Sequence, residues 1–383
     1  MMTLAIDAVG AKEGGAATVL LSVVEQALAG RFANVIVFGT PRPQRHFTLP
    51  RSKKLRFIPV QDQGIAHRLC WHWFGLPRAV RTAGATALLC LSGGGRGGGR
   101  VYTGALVHQT LPYVPEALAT FGLPFRLRMR AVALNTRLCC SRADVVFAQT
   151  LTMRSILARH GIDPSKIVVA PPPPPTQMHY GRIPGGSAVV KMEVVPPDRR
   201  ILYVGSTLPH KNVRVLLRAA DILRQVLPDA VLFGTFPKSA CGARPNVVPL
   251  GYLAPAEVVA AYTAATVVVL PSLAETVGLP LLEAASVGAP VIVADRPYAR
   301  EVLANRGVYL DPHDAALWAN TITRVLTNHQ FAARLRAEMR VIGRPDGRES
   351  RNGYQAIVSH LLAGAEQRAS FVDNRGASDR GSA

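Results

Sequence analysis

Short apolar segments alternate with amphipathic ones along the chain, and this alternation limits the possible folds more than any other feature. Residues 266–270 form a β-branched apolar run too short for a typical helix, whereas Val213–Val226 has helical periodicity. Strands that are apolar along their whole length are buried on both faces, as in a parallel sheet covered by helices. The alternation therefore predicts an α/β chain with doubly wound parallel sheets, whose ligands lie beyond the C-terminal ends of the strands.

The alternation occurs in two halves that a proline-rich segment separates. Residues 171–175 are consecutive prolines, and the chain stays rich in Gly and Pro up to residue 199. Such a segment continues neither a sheet nor a helix, and a length of 383 residues also favours two domains. The predicted parts are a Rossmann-like domain (1–172), a linker (173–199), a second Rossmann-like domain (200–340), a helix that can cross back to the first domain (341–366) and a disordered tail (367–383).

Composition excludes several classes of protein. Apolar residues make up 49% of the chain, which is ample for buried cores and is not typical of disorder. Five cysteines without a Cys-x-x-Cys pair favour a reducing compartment and indicate neither a disulfide framework nor a zinc site. The N-terminus has no basic region followed by an apolar core, and the uncharged run 258–274 contains a proline and several hydroxyl residues. We therefore expect a cytoplasmic protein without a secretory signal or a membrane span.

Residues 270–284 combine the features of an anion site with two carboxylates. Glu275 precedes a Gly-Leu-Pro turn, and Glu283 follows the turn inside the predicted helix. Pro280 suits the first helical turn because its fixed φ is already helical, and Gly278 lets the backbone approach a ligand closely. The N–H groups of a helix start, with the macrodipole behind them, suit a diphosphate, and the carboxylates suit the hydroxyls of a sugar and a ribose. The segment predicts a nucleotide-sugar site.

This segment resembles the E-x7-E signature of family 4 (group 1) retaining glycosyltransferases, which have the GT-B fold of two doubly wound Rossmann-like domains facing across a cleft. Those enzymes usually read Glu-Gly-Phe-Gly-Leu-Pro where this chain reads Glu-Thr-Val-Gly-Leu-Pro. The positions that match are Glu275, Gly278, Leu279, Pro280 and Glu283, and those that depart are Thr276 and Val277. Because the departures lie where the loop lines the donor sugar, they bear on which sugar is transferred.

The resemblance implies a role for each residue of the loop. Glu283 would bind the ribose hydroxyls, and Glu275 would bind the donor sugar or its surroundings without acting as a covalent nucleophile. The other donor-binding positions of the loop would be Thr276, Val277, Gly278 and Leu279. The resemblance also implies no metal and no cofactor beyond a GDP- or UDP-linked sugar as substrate, and no Asp-x-Asp motif stands where one would chelate magnesium.

A second match lies in residues 202–212, where a predicted strand and a short loop lead to Lys211. A lysine just before a helix can reach a phosphate as a compact charge. The segment resembles the Gly-Arg-x4-Lys region that neutralises the donor diphosphate in family 4 enzymes, with Ser206 in place of the usual arginine. Its His-Lys-Asn version resembles a subgroup of hexosyl- and mannosyltransferases of O-antigen and other polysaccharides. The alternative is a helix-capping loop with a solvated lysine.

Three further parts of the family pattern are represented more weakly. Residues 248–253 resemble the loop that packs on the nucleotide base, so the backbone near Gly251 and Tyr252 is a candidate for base contact; the alternative is a buried turn with Tyr252 in the core. Gly14 and Gly15 resemble the glycine loop that approaches the donor phosphates, although such a pair is often a simple turn. His108 resembles the histidine that contacts the donor sugar or orients the acceptor hydroxyl, and its alternative is a structural histidine.

The net charge of +20 requires a partner or a solvated surface. Five arginines and no acid lie between residues 117 and 143, interleaved with apolar residues. Such a stretch can dock on the inner membrane face, since each basic residue near an anionic leaflet contributes about 1 kcal/mol. The predicted contacts are Arg126, Arg128, Arg130 and Arg137. The alternatives are a solvated helix face and nucleic-acid binding, but no helix-turn-helix, zinc or aromatic RNP pattern supports the latter.

Together these resemblances imply a retaining, metal-independent hexosyltransferase, with mannose favoured, acting on a glycan or polyprenyl- or glycolipid-linked acceptor in cell-surface polysaccharide synthesis. The first domain would serve the acceptor and the second the nucleotide sugar, with Glu275, Lys211 and His108 as the catalytic residues. Two alternatives stay open: another enzyme of the same architecture, such as a sugar epimerase, and a catalytically inactive basic binding protein.

Overall fold

The computed structural model describes residues 1–11, 15–40, 49–91, 94–172, 187–343 and 352–378. Its contacts divide the chain into two compact units. The first unit comprises Met1–Gln109, Arg128–Pro172 and Arg351–Ala383, and the second comprises Thr110–Leu127 and Pro173–Ser350. Each unit has its own parallel sheet and its own apolar core, as the strand–helix alternation predicted.

The first unit is built on a seven-stranded parallel sheet. In chain order its strands are Thr3–Ala8 (β1), Asn34–Gly39 (β2), Leu55–Pro59 (β3), Ala87–Cys90 (β4), Tyr102–Val107 (β5), Val145–Ala148 (β6) and Ile167–Val169 (β7). Their order across the sheet is β3-β2-β1-β4-β5-β6-β7. The central strands are apolar and buried on both faces because helices cover both sides of the sheet.

Six α-helices lie in the described residues before residue 172. They are Gly15–Ala29 (α1), Ile65–Cys70 (α2), Leu76–Thr82 (α3), Pro115–Ala119 (α4), Leu123–Arg142 (α5) and Leu151–Arg159 (α6). A π-helical turn, Trp71–Gly75, joins α2 to α3. The long α1 buries an apolar stripe with helical spacing, including Leu20, Val23 and Val24, in the core that it shares with β1.

The second unit has a six-stranded parallel sheet. Its strands are Arg200–Tyr203 (β8), Val231–Gly234 (β9), Val247–Pro249 (β10), Val267–Leu270 (β11), Val291–Ala294 (β12) and Val308–Leu310 (β13). They are arranged in the order β10-β9-β8-β11-β12-β13. The strand order therefore reverses between β8 and β11. In a doubly wound sheet this switch point is where ligands bind.

The remaining helices are Ser187–Glu193 (α7), Val213–Val226 (α8), Pro255–Ala264 (α9), Leu279–Ser286 (α10), Pro297–Val302 (α11), Ala315–Thr327 (α12), His329–Gly343 (α13) and Gly353–Ser378 (α14). The last of these, α14, belongs to the first unit and packs against α1, β4 and β5. None of the helices in the described ranges is long and apolar enough to cross a membrane.

The sequence predicts a disordered tail from residue 367, whereas in the structure α14 continues to Ser378. Arg368 on this stretch donates to the Val101 carbonyl at 2.8 Å and pairs with Asp144, so contacts distant in sequence hold a segment that its composition made appear unstructured. Residues 379–383 lie outside the described residues.

The predicted domain boundaries differ from the structure in two further places. Residues 110–127 were assigned to the first domain, but the structure groups them with the second unit. The predicted linker 173–199 includes α7, whose Met192 is fully buried in the core of the second unit. That end of the linker is thus part of a folded unit, while residues 173–186 lie outside the described residues.

Candidate functional site

The switch point of the second sheet brings two charged side chains together. The loops that follow the neighbouring strands β8 and β11 carry Lys211 and Glu275. Lys211 Nζ donates to Glu275 Oε1 at 2.5 Å, and the two side chains are only 20% and 13% exposed. Two residues that the sequence analysis singled out separately thus form one ion pair, and the alternative of a solvated Lys211 is excluded.

Short-range contacts fix the two loops to each other. The Leu273 N–H donates to the His210 carbonyl at 2.9 Å, which ties the loop after β11 to the loop after β8. Asn212, beside Lys211, has a left-handed backbone (φ 55°) and donates from Nδ2 to the Pro312 carbonyl at 2.6 Å. Asparagine tolerates this conformation better than most residues, so it can turn the chain into α8 immediately after the lysine. The position of Lys211 is therefore set by the backbone on both sides.

A left-handed glycine begins α10 beside this ion pair. Gly278 has φ 76°, and a Cβ there would lie 3.2 Å from side-chain atoms of both Leu281 and Tyr298. Glycine avoids both the backbone strain and the crowding. Pro280 carries no N–H, and the Leu281 N–H is used on the Gly278 carbonyl at 2.8 Å. The amides of Gly278 and Leu279 are then the donors with which this helix start can meet an anion, supported by the helix dipole.

Glu283 lies further along α10 and is held by a tyrosine. Tyr262 Oη donates to Glu283 Oε2 at 3.0 Å. Burial raises the pKa of the Glu283 carboxyl, and the hydrogen bond from Tyr262 opposes the shift because it stabilises the charged form. The two glutamates of the predicted motif are thus in different surroundings: Glu275 has a cation, and Glu283 has a neutral hydroxyl donor.

Two buried tyrosines that the sequence analysis did not single out surround Glu275. Tyr203, at the end of β8, donates to the Ser206 carbonyl at 2.7 Å, and Tyr298, in α11, donates to the Ser272 carbonyl at 3.0 Å. Burial raises the pKa of both phenols, and the Glu275 charge raises it further. Both tyrosines therefore stay neutral and act as hydrogen-bond donors to the loops of the site. Only their positions in a strand and a helix next to the motifs could have indicated this.

His210 is a third residue that sequence reasoning did not assign. Its side chain is buried, and its ring lies 5.8 Å from that of Phe121. Burial and the adjacent Lys211 charge lower the pKa of His210 to about 4, against a smaller opposing effect of Glu275. A second cation beside Lys211 is therefore avoided at neutral pH, and the ring is neutral.

Residues 110–127 contact the site loops from within the second unit. The hydroxyls of Thr110 and Thr276 are 2.8 Å apart and share a hydrogen bond. Glu116 at the start of α4 accepts from Arg296 and lies 2.9 Å from His313 Nε2. These contacts explain why this segment is grouped with the second unit, and they engage Thr276, one of the two positions where the motif departs from the family pattern.

The remaining donor-site predictions fall in two groups. Val277 is buried, whereas Ser206, in the loop after β8, is exposed. Gly251 has φ 71° with open space where a Cβ would be, and Tyr252 beside it is 72% exposed. The alternative in which Tyr252 belongs to the core is therefore wrong. The exposed turn at 251–252 remains a candidate for contact with a planar base.

The residues predicted in the first unit are described separately. His108 follows β5 directly, and burial lowers the pKa of its ring to about 4 despite a hydrogen bond with the Leu91 backbone. A neutral, hydrogen-bonded ring is compatible with a purely structural histidine. It is equally compatible with a histidine that exchanges a hydrogen bond with the donor sugar or the acceptor. Gly15 is the first residue of α1. Gly14 lies outside the described residues.

The first sheet also has a buried polar cluster at its own switch point, between β1 and β4. Asp7, fully buried near the end of β1, accepts from the Trp71 indole N–H at 3.0 Å and lies 3.2 Å from His72 Nε2. Both partners belong to the π-helical turn Trp71–Gly75, which presents two successive side chains to one carboxylate. The sequence predicted β1 but gave no indication of this cluster, because its members are more than 60 residues apart in the chain.

Comparison with known families bears on the second unit. Residues 191–341 match the family model described as "Glycosyl transferases group 1". The matched range contains the Lys211–Glu275 pair, the Gly278 turn and Glu283, so the second unit carries the group 1 glycosyltransferase pattern that the motifs predicted. The comparison with curated proteins found no match.

Solved structures resemble nearly the whole chain at low sequence identity. A sucrose-phosphate synthase from Thermosynechococcus elongatus is 19% identical with a TM-score of 0.67, and the alignment covers 99% of this chain and 100% of that one. WaaG, a glycosyltransferase involved in lipopolysaccharide biosynthesis, is 17% identical with a TM-score of 0.72, over 94% and 99%. HepE from Anabaena, solved in complex with UDP and glucose, is 17% identical with a TM-score of 0.65, over 98% and 100%. These likenesses confirm the predicted GT-B fold.

Proposed function

We propose that the chain is a retaining group 1 glycosyltransferase that moves a hexose, with mannose favoured, from a nucleotide-diphosphate sugar to a glycan or lipid-linked acceptor in cell-surface polysaccharide synthesis. The proposal rests on one convergence. A cation (Lys211), a helix start (residues 278–279) and a carboxylate (Glu283) lie on loops and a helix that leave the switch point of one sheet. A nucleotide sugar presents the matching groups, namely a diphosphate and the paired hydroxyls of a ribose.

The donor would lie along this edge of the sheet with its diphosphate between Lys211 and the α10 start. The Gly278 and Leu279 amides and the α10 dipole attract the phosphate oxygens, and Lys211 supplies a full charge. The ionised Glu283 accepts hydrogen bonds from the ribose hydroxyls, while Tyr262 holds its other oxygen in place. The exposed turn at 251–252 then receives the base. Each part of the donor thus meets a group of complementary chemistry.

The reaction breaks the bond between the anomeric carbon and the phosphate oxygen, and the electron pair leaves with the nucleoside diphosphate. An acceptor hydroxyl attacks the anomeric carbon from the same face, and its proton passes to the departing phosphate oxygen, so the configuration is retained. Lys211 and the α10 start are preorganised to stabilise the charge that develops on the leaving group, without a metal. Glu275, oriented by Lys211, offers its carboxylate to a hydroxyl of the donor sugar.

The choice of hexose rests on the loop that departs from the family pattern. Thr276 directs its hydroxyl to Thr110, and Val277 is buried, so the part of this loop that meets the sugar differs in shape from a Gly-Phe pair. The first unit would supply the acceptor side, with His108 as a neutral hydrogen-bonding group. GDP- and UDP-linked hexoses are both candidates for the donor.

The proposal is tested by donor binding and transfer. Calorimetry with GDP-mannose, UDP-glucose, UDP-galactose and UDP-N-acetylglucosamine is carried out on the wild type, on Glu283→Gln and on Glu25→Gln, an exposed glutamate on α1 that serves as the control. We expect one donor to bind tightly, Glu283→Gln to lose at least about tenfold in affinity, and the control to match the wild type. Binding of no donor, or equal binding by both variants, would contradict the proposal.

Product analysis separates the alternatives. With a lipid-linked or glycan acceptor, a transferase releases nucleoside diphosphate in proportion to acceptor, and NMR of the product shows the anomeric configuration of the donor. An epimerase instead converts the nucleotide sugar to its epimer with no acceptor present. A binding protein without activity does neither. Transfer that persists in excess EDTA is the outcome expected of a metal-independent enzyme.

A further inference from the structure

One face of α5 is both basic and apolar, and the donor site leaves it unexplained. The helix has 20 residues, among them five arginines and no acid. Four of its leucines are exposed to solvent. Their exposed fractions are 62% (Leu123), 52% (Leu127), 56% (Leu134) and 39% (Leu138). Single exposed leucines are ordinary on protein surfaces, but four on one helix form a continuous apolar surface if they share a face.

Helix geometry places these four leucines in one stripe. With a rotation of about 100° per residue, positions 123, 127, 134 and 138 fall within about 60° of the helix circumference. The side chains that α5 buries lie on the opposite side of the wheel: Met129, Thr136, Cys139 and Cys140. The leucine stripe therefore points away from the core, along the full length of the helix.

Arginines line both edges of the stripe. On the same wheel Arg126, Arg130 and Arg137 lie along one edge, and Arg128 and Arg142 lie beyond the other. All except the half-buried Arg126 are exposed. An apolar stripe between two rows of cations is the arrangement of a helix that lies in the plane of a membrane interface, with the leucines below the headgroups and the guanidinium groups among the phosphates.

One side of α5 is held by contacts with Trp73 of the π-helical turn. The Trp73 indole N–H donates to Asn135 Oδ1 at 3.1 Å, and the Arg142 guanidinium lies 5.2 Å from the Trp73 ring. Phe74, next to Trp73, is 77% exposed. The π-helical turn thus contacts the part of α5 that belongs to the first unit, and Phe74 adds a large exposed apolar side chain to that unit.

We infer that the leucine stripe of α5, with its flanking arginines, docks the protein on an anionic lipid bilayer. The charge complementarity is direct, since the helix carries five arginines and no acid and the whole chain has a net charge of +20. A nucleic acid would engage the arginines alone and would leave the leucines in water, so the stripe favours lipid. Docking itself requires neither donor nor catalysis. Its purpose, to bring the enzyme to a lipid-linked acceptor, rests on the proposed function.

The test is co-sedimentation of the full chain with vesicles, without substrate. Vesicles of phosphatidylcholine containing phosphatidylglycerol are compared with pure phosphatidylcholine, at low and at high salt. We expect binding to the anionic vesicles only, weakened by salt. A Leu127→Ser, Leu134→Ser double variant and an Arg126→Gln, Arg128→Gln, Arg130→Gln triple variant should each lose at least about tenfold in vesicle affinity.

Matched controls keep the result specific. Leu151→Ser with Leu317→Ser removes two exposed leucines elsewhere, and Arg214→Gln, Arg218→Gln, Arg224→Gln removes three exposed charges from α8. Both controls should bind vesicles like the wild type. Equal losses in control and test variants, or binding to duplex DNA with no binding to vesicles, would overturn the inference. Urea unfolding of every variant reports the fold, and calorimetric donor affinity reports the donor site. A failed donor proposal and a failed docking proposal therefore give different results.

Discussion

Lys211 and Glu275 are 64 residues apart in the chain, yet their side chains share a hydrogen bond of 2.5 Å at the C-terminal ends of neighbouring strands. The pair joins the loops after β8 and β11, and with the proposed donor present, Lys211 would be shared between Glu275 and the diphosphate. The carboxylate that orients the lysine is then also the group that faces the donor sugar. A change at either residue should therefore alter both the stability of the second unit and the affinity for donor.

Replacing Lys211 by Met should lower both the stability of the second unit and the affinity for donor. Glu275 would keep its charge in a largely buried position without its cation, which is costly, and the diphosphate would lose its point charge. Adding Glu275→Gln to Lys211→Met should recover part of the stability, with a coupling free energy of about 1–3 kcal/mol in a double-mutant cycle. Urea unfolding gives the free energies of unfolding, and calorimetry gives the donor affinities. Lys191→Met on α7, where the lysine is exposed, is the control. Strictly additive single variants would show that the pair does not interact energetically.

Glu283→Gln should make the protein more stable and less able to bind donor. Because burial raises its pKa, Glu283 keeps its proton to a higher pH in the folded chain than in the unfolded chain. Its ionisation therefore destabilises the fold, and this destabilisation grows as pH rises through the raised pKa. The glutamine removes that effect while still accepting from Tyr262. We expect a higher unfolding midpoint than the wild type at pH 7, no difference well below the ordinary glutamate pKa, and lower donor affinity at pH 7.

A midpoint below that of the wild type at pH 7 would show that the carboxylate stabilises the apo fold. The same titration tests donor binding, because ribose hydroxyls need the ionised form. The affinity of the wild type should fall as pH decreases through the raised pKa of Glu283. In Tyr262→Phe, which lacks the hydroxyl that stabilises the carboxylate, this fall should begin at a higher pH.

The sequence predicted the parts of this site better than their contacts. The β11 run, Gly278 and Pro280 have strong local signals, since a β-branched apolar run and a Gly-x-Pro turn allow few conformations. The spacing of Glu275 and Glu283 was likewise visible. The Lys211–Glu275 pair was not predicted, because it depends on which strands become neighbours across the sheet, and linear spacing does not record that.

Long-range contacts also explain what the sequence left out of the fold. The last turns of α14 have a polar, Gly- and Ser-containing composition, yet Arg368 reaches Asp144 and the Val101 carbonyl. Residues 110–127 follow β5 directly, but Glu116 and Thr110 bond to side chains more than 160 residues further along the chain. Local propensity therefore described both segments poorly, because partners distant in sequence determine their structure.

Gly278→Ala should impair donor binding, in contrast to the same change at another left-handed glycine. At either position alanine takes on a left-handed strain of about 1–2 kcal/mol. At Gly84 (φ 62°) a Cβ meets open space, whereas at Gly278 it lies 3.2 Å from Leu281 and Tyr298. We expect Gly278→Ala to be the more destabilised of the two by urea unfolding, and it alone should lose donor affinity as the start of α10 shifts. Equal donor affinities in the two variants would argue that the α10 start does not contact the diphosphate.

Acidification should destabilise the second unit through His210. Its folded pKa is lowered to about 4, whereas an unfolded histidine titrates near about 6.5. Between these values the unfolded chain binds a proton that the folded chain does not, so this contribution to stability is complete above the higher pKa and is lost as pH falls toward the lower one. The free energy of unfolding should decrease by about 1.4 kcal/mol per pH unit for this proton.

His210→Phe, which keeps a ring against Phe121, should remove that part of the slope, while His329→Phe at an exposed site should keep it. Urea unfolding at closely spaced pH values between 7 and about 4 measures the three slopes. His108 has a similarly lowered pKa in the first unit, so a residual slope is expected in His210→Phe. If His210→Phe and the wild type gave the same slope, the pKa of His210 would be the same in the folded and unfolded chains, and burial and the Lys211 charge would not lower it.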